Sequence, residues 1–82
     1  MRMDFFSEQI EKAIPGSKAE VTGDGSKFEA LVISDTFAGQ MPIKRHKAVY
    51  AILNEHITSG AIHALSINAY TQAEWQARQE KA

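Results

Sequence analysis

The chain has 82 residues, a formal net charge of −1 and 44% hydrophobic content, which describes one small folded domain over 1–82 rather than a disordered tail or a repeat array. A domain of this length buries only about 60–65% of the surface that its unfolded chain exposes, so shallow or shared sites are expected instead of a pocket enclosing a substrate. Cysteine is absent, which removes disulfides, thiolate nucleophiles and any self-contained thiolate metal site. The near-neutral balance lacks the basic excess of a protein devoted to nucleic acid. No apolar run approaches the ~18–20 residues of a membrane span, and the opening Met1-Arg2-Met3-Asp4 does not read as a signal peptide, so a cytoplasmic location away from membranes is the expectation.

The first element is a helix over roughly 4–14. Phe6, Ile10, Ala13 and Ile14 recur at helical spacing, Asp4 or Ser7 is placed to cap, and Pro15-Gly16 stops the run. Ala19 and Val21 then alternate with polar neighbours from Lys18 to Thr22, and Gly23-Asp24-Gly25-Ser26 supplies turn chemistry before the apolar run Phe28 to Ile33, a β-hairpin pattern. Asp35 to Gln40 reads as a connection that carries Phe37 inward.

Pro42 suits the first position of a long helix. Along that helix Val49, Ile52, Leu53, His56 and Ile57 line one side, with Ile43 at the entry, until Ser59-Gly60 ends it. Period two returns from Ala61 to Ala69, with His63, Leu65 and Ile67 on one face and Ile62, Ala64, Ser66 and Asn68 on the other. Thr71-Gln72-Ala73-Glu74 forms a capping box for a last helix, with Tyr70 and Trp75 as its hydrophobic staple.

The element order is α-β-β-α-β-α, an α+β chain. A helical crossover joins the second and third strands, which favours a parallel, right-handed pairing, while the first two strands pair antiparallel. The result is a three-stranded mixed sheet with helices packed on one face and the other face more open.

Three phrases, in this order and spacing, resemble the BolA family over about residues 5–78. They are Phe37-Ala38-Gly39 leading into Lys44-Arg45-His46-Lys47, then Ile62-His63-Ala64-Leu65-Ser66-Ile67, then Ala69-Tyr70-Thr71 with Glu74-Trp75. The resemblance implies a class II KH-like fold and a non-enzymatic partnership with a monothiol glutaredoxin, in which a [2Fe–2S] cluster bridges the two proteins. In the family the histidine of the His-Ala-Leu phrase is the main cluster ligand, and it falls here on His63; the glutaredoxin cysteine and a glutathione thiol would supply sulfur. Such a cluster is expected only in the complex, and the chain alone is expected to be a monomer or weak homodimer. Many members carry a second ligand, histidine or cysteine, between the first two strands. Gly23-Asp24-Gly25-Ser26-Lys27 holds neither, and Lys27 stands where one branch has histidine, which leaves three alternatives: a shared cluster held less firmly, a position filled by glutathione or solvent, or His46 as a reserve ligand.

Taken by itself, His63 fits either a half-buried histidine bonded to backbone or an iron ligand, since imidazole in place of thiolate alters a cluster's charge and potential. The quartet Lys44-Arg45-His46-Lys47 opens a helix, where the macrodipole disfavours cations by roughly 0.3–1 kcal/mol each. It reads either as a solvated helix start, with His46 beneath Tyr50, or as an anion-recognition patch for glutathione, an acidic partner or phosphate. The alternative function is a DNA-binding transcriptional regulator using Lys44, Arg45 and Lys47. Against it stand the net charge and the lack of a Gly-x-x-Gly loop or a row of exposed aromatics. An enzyme is not expected, because no triad, phosphate loop or His-Glu-x-x-His spacing occurs. His56 reads as a rim histidine with a hydrogen-bond partner.

Overall fold

The computed structural model describes residues 4–23, 27–60, 62 and 64–81. The elements run α1 (Asp4–Ala13), β1 (Lys18–Gly23), β2 (Lys27–Ile33), a 3-10 turn (Asp35–Phe37), α2 (Pro42–Thr58), β3 (Ala64–Tyr70) and α3 (Gln72–Lys81). The expected order therefore stands, with boundaries shifted by one to three residues. The expected glycine-rich turn falls largely on 24–26, outside the described residues.

The sheet has the order β1-β2-β3. β1 and β2 pair antiparallel, with Val21 opposite Ala30, and β2 and β3 pair parallel, from Lys27 opposite Ala64 to Ile33 opposite Tyr70. Strand alternation then sorts the side chains. Val21, Phe28, Ala30 and Val32 are buried on the face covered by α1 and α2, together with Ile10, Ile14, Val49 and Leu53. Lys18, Glu20, Lys27, Glu29, Ala64 and Ser66 are exposed on the other face.

Each helix is anchored by its own chemistry. Ser7 does not cap α1; it is buried, and its Oγ accepts a hydrogen bond from the Val21 N–H at 3.0 Å, which ties the helix to β1. In the connection, the Ser34 Oγ accepts from the Thr36 N–H and nucleates the 3-10 turn that buries Phe37. α2 stops at Gly60, whose φ of +87° is accessible to glycine at little cost. The Ile62 N–H then donates to the His56 carbonyl, so the chain turns straight back from the end of α2 into β3.

Two sequence expectations change. Ile43 is not at an apolar entry: it is 64% exposed, because it lies about 120° around the helix from Val49 at 100° per residue. Ile62 is not on the outer face of β3; it precedes the strand and is buried in the core at 1% exposure.

Candidate functional site

The buried stripe of α2 is Arg45, Val49 and Leu53, spaced i, i+4 and i+8, so an arginine occupies a position where an apolar residue would ordinarily pack. Four of its five N–H donors are engaged. Nε donates to the Gln40 carbonyl at 2.9 Å, Nη1 donates to the Ala69 carbonyl at 3.3 Å, and the two Nη atoms form a fork on Glu74 at 2.6 and 3.2 Å. The group also lies 5.9 Å from the Phe37 ring centre. One side chain thus joins the β2–α2 connection, the end of β3 and the start of α3.

Glu74 serves two partners at once. It closes the capping box, accepting from the Thr71 N–H at 2.8 Å while its own N–H donates to the Thr71 Oγ1 at 3.2 Å, and it pairs with Arg45. The Arg45 hydrogen bond first, then the Thr71 N–H, hold its carboxyl at about 2, below the ordinary 4.5.

The expected anion-binding quartet is therefore not one patch. Arg45 is buried and four of its five donors bond within the chain, which takes it off both the partner-binding and the nucleic-acid face. Lys44, His46 and Lys47 are exposed. His46 stacks on Tyr50, with ring centres 6.4 Å apart and planes at 17°, as the i, i+4 spacing implied. His56 is half-buried, holds Gln9 Oε1 through Nε2 at 3.0 Å and meets Phe5 and Phe6 edge-on, a packing role.

His63 lies outside the described residues, but the framework around it is defined. β3 starts at Ala64, which pairs in register with Lys27. The start of β3 and the strand that leaves the β1–β2 turn thus share one rim of the sheet. His46 belongs to the opposite rim. It precedes His56 by ten residues, about 15 Å of helix, and His56 is where Ile62 is hydrogen-bonded. His46 and the start of β3 are therefore too far apart to serve one cluster, which removes His46 as a reserve ligand beside His63.

No group of three or more His, Cys, Asp or Glu side chains that could hold a metal is found among the described residues. With no cysteine in the chain, these donors do not fit a resident cluster. A single imidazole lent to a cluster whose sulfur comes from elsewhere does fit.

An antiparallel hairpin, a crossover helix and a parallel third strand define a small α+β protein of KH-like topology. The family model described as BolA-like protein matches residues 7–74. The acid stress protein IbaG of Escherichia coli is 42% identical over 66 residues, 80% of this chain and 79% of that protein. The E. coli DNA-binding transcriptional regulator BolA is 34% identical over 58 residues, 71% of this chain and 54% of that protein. The structure of a BolA protein homologue from Coxiella burnetii superposes with a TM-score of 0.79 at 38% identity, covering 93% of this chain and 97% of that one. The chain belongs to the BolA-like family.

Proposed function

We propose that the protein is a non-enzymatic, cytoplasmic partner of a monothiol glutaredoxin and lends His63 to a [2Fe–2S] cluster shared with that protein and glutathione. The observation that carries the reading is the family match across 7–74, whose His63-Ala64-Leu65 phrase runs into β3 at the rim where Ala64 meets Lys27. When bound, the cluster supplies one-electron chemistry and a transferable iron–sulfur unit. The chain's own contribution is the His63 imidazole, one residue before a strand whose far end is tied to Arg45, and a sheet rim that carries the exposed Lys27 and Glu29.

The loop has no second histidine or cysteine, so the partner and glutathione hold the remaining ligand positions. The test is anaerobic titration of wild type and His63→Ala into [2Fe–2S]-loaded monothiol glutaredoxin with glutathione, followed by visible absorption and circular dichroism. A saturable one-to-one change that His63→Ala abolishes is the expected result. An identical change with the variant removes His63 from the site, and no change with wild type removes the partnership.

The second reading is a DNA-binding regulator. Lys44 and Lys47 project from the first turns of α2 with no ion pair among the described residues, and a relative carries that name. Two such contacts to phosphate would give a salt slope of about −2, lost in Lys44→Ala/Lys47→Ala. Equal retention of that variant and wild type on duplex DNA would end this reading.

A further inference from the structure

The two edges of the sheet are guarded differently. β1, the edge strand on one side, reads Lys-Ala-Glu-Val-Thr-Gly and presents exposed Lys18 and Glu20, the charges that ordinarily keep an edge from pairing with other chains. β3, the other edge, reads Ala-Leu-Ser-Ile-Asn-Ala-Tyr, with no charge and no proline.

The hydrogen bonding of β3 fixes which of its groups are free. The Tyr70 carbonyl accepts from the Ser34 N–H, and Tyr70 is paired with Ile33. In a parallel ladder, Tyr70, Asn68, Ser66 and Ala64 then aim both backbone groups at β2, while Leu65, Ile67 and Ala69 aim theirs away. The Ala69 carbonyl takes Arg45 Nη1. The Ala69 N–H and both backbone groups of Ile67 have no partner among the described residues.

This edge is the floor of an open groove of about 940 Å³. One wall is α2, with Ile43 and His46; the other is α3, with Ala77 and Arg78; Ile67 and Tyr70 lie between. The groove is the right shape for one extended strand, and its floor from Ile67 to Tyr70 spans about 13 Å at 3.3 Å per residue. Its charge is one-sided. Arg78 stands over the Tyr70 ring at 5.4 Å, His46 lies on the α2 wall, and the acid in the lining, Glu74, is paired with Arg45.

We propose that the free edge of β3 docks an extended segment of a partner protein with alternating apolar and acidic residues, added as a fourth strand between α2 and α3. Backbone pairing would supply affinity, and Arg78 on the α3 wall would select acidic side chains. A second copy of the chain fits less well, because its own β3 edge brings the same Arg78 to the contact and its β1 edge is guarded by charge. The proposal rests on the strand edge and not on the cluster reading.

The probe is an acetylated and amidated heptapeptide of alternating valine and glutamate, titrated to millimolar concentration into the ¹⁵N-labelled protein. Its controls are the same peptide N-methylated throughout and an eight-residue thymidine oligonucleotide. The expected result is a shift of the Leu65, Ile67 and Ala69 amide signals, slowed exchange at Ile67 and Ala69, and binding weakened about fivefold in Arg78→Glu. No shift at those amides overturns the proposal. Equal shifts with the N-methylated peptide show attraction by charge without strand addition, and overturn it. The same amide shifts at lower concentration with the oligonucleotide assign the groove to single-stranded nucleic acid, and overturn it too. Binding to Arg78→Glu at wild-type strength removes the acidic preference. Because His63→Ala leaves Ile67, Ala69 and Arg78 in place, it is expected to bind the peptide as wild type does, which separates this outcome from that of the cluster titration.

Discussion

Replacing Arg45 by methionine separates its role as a brace from that of a surface anion binder. Methionine keeps most of the apolar stem packed beside Val49 and removes the guanidinium. The Gln40 and Ala69 carbonyls then lose charge-assisted donors at 2.9 and 3.3 Å in a partly buried setting. At about 1–2 kcal/mol for each bond, the loss is about 2–4 kcal/mol, a large fraction of the roughly 4–12 kcal/mol that holds a domain of this size folded. The corresponding fall in melting temperature is about 10–25 °C. Urea unfolding followed by far-ultraviolet circular dichroism and by Trp75 fluorescence measures both parts of the effect, since Trp75 is half-buried on α3 with its ring 5.6 Å from that of Tyr70. The reference is Lys44→Met, one residue away but exposed, which should stay within about 0.5 kcal/mol of wild type. If Arg45→Met is tolerated as well as Lys44→Met, the guanidinium is not a brace and the quartet reverts to a surface patch.

Glu74 is expected to titrate near 2 by carbon NMR in wild type, and a midpoint near 4.5 would contradict the clasp. Because its folded value is depressed, its contribution to stability is complete above the unfolded carboxylate value and is lost as pH falls from about 4.5 through 2; Glu74→Gln should flatten the acid limb of the stability curve. In Gly23→Ala the new methyl would lie 2.4 Å from the Phe28 ring, an overlap costing about 1–3 kcal/mol by thermal melt, and an unchanged melt would mean that the ring moves aside freely. His46→Ala should leave the spectrum of the glutaredoxin mixture unaltered, because α2 holds His46 about 15 Å from the end where β3 begins; a spectral change equal to that of His63→Ala would refute that separation.

The order of elements, the mixed sheet and the capping box at Thr71 were legible because each rests on a local pattern: period two, period 3.6, and a Thr-x-x-Glu phrase before an apolar residue. The role of Arg45 was less visible. Charge type groups it with Lys44 and Lys47, whereas helical phase groups it with Val49 and Leu53, and phase prevailed because a partner carboxylate was available. That partner, Glu74, was already assigned to the capping box, and nothing local shows that it serves a second group 29 residues away. Ile43 is the converse error: an apolar residue near the helix start, placed by composition on a stripe that it misses by a third of a turn.

The polarity of the crossover decides more than the boundaries do. A helix that joins two parallel strands runs against both, so its start lies beside their ends and its end beside their starts. The start of α2 therefore lies beside the end of β3, where Arg45 reaches the Ala69 carbonyl, while the phrase at His63 follows the other end of α2. A charge there is more than a Debye length of about 8–10 Å from the rim where a cluster and its glutathione would sit, which is too far for the basic helix start to hold glutathione at that rim. The phrases Lys44 to Lys47 and His63-Ala64-Leu65 belong to opposite ends of β3, and a partner that engaged both would have to span the strand. The unpaired edge between them is the surface along which a chain could do so.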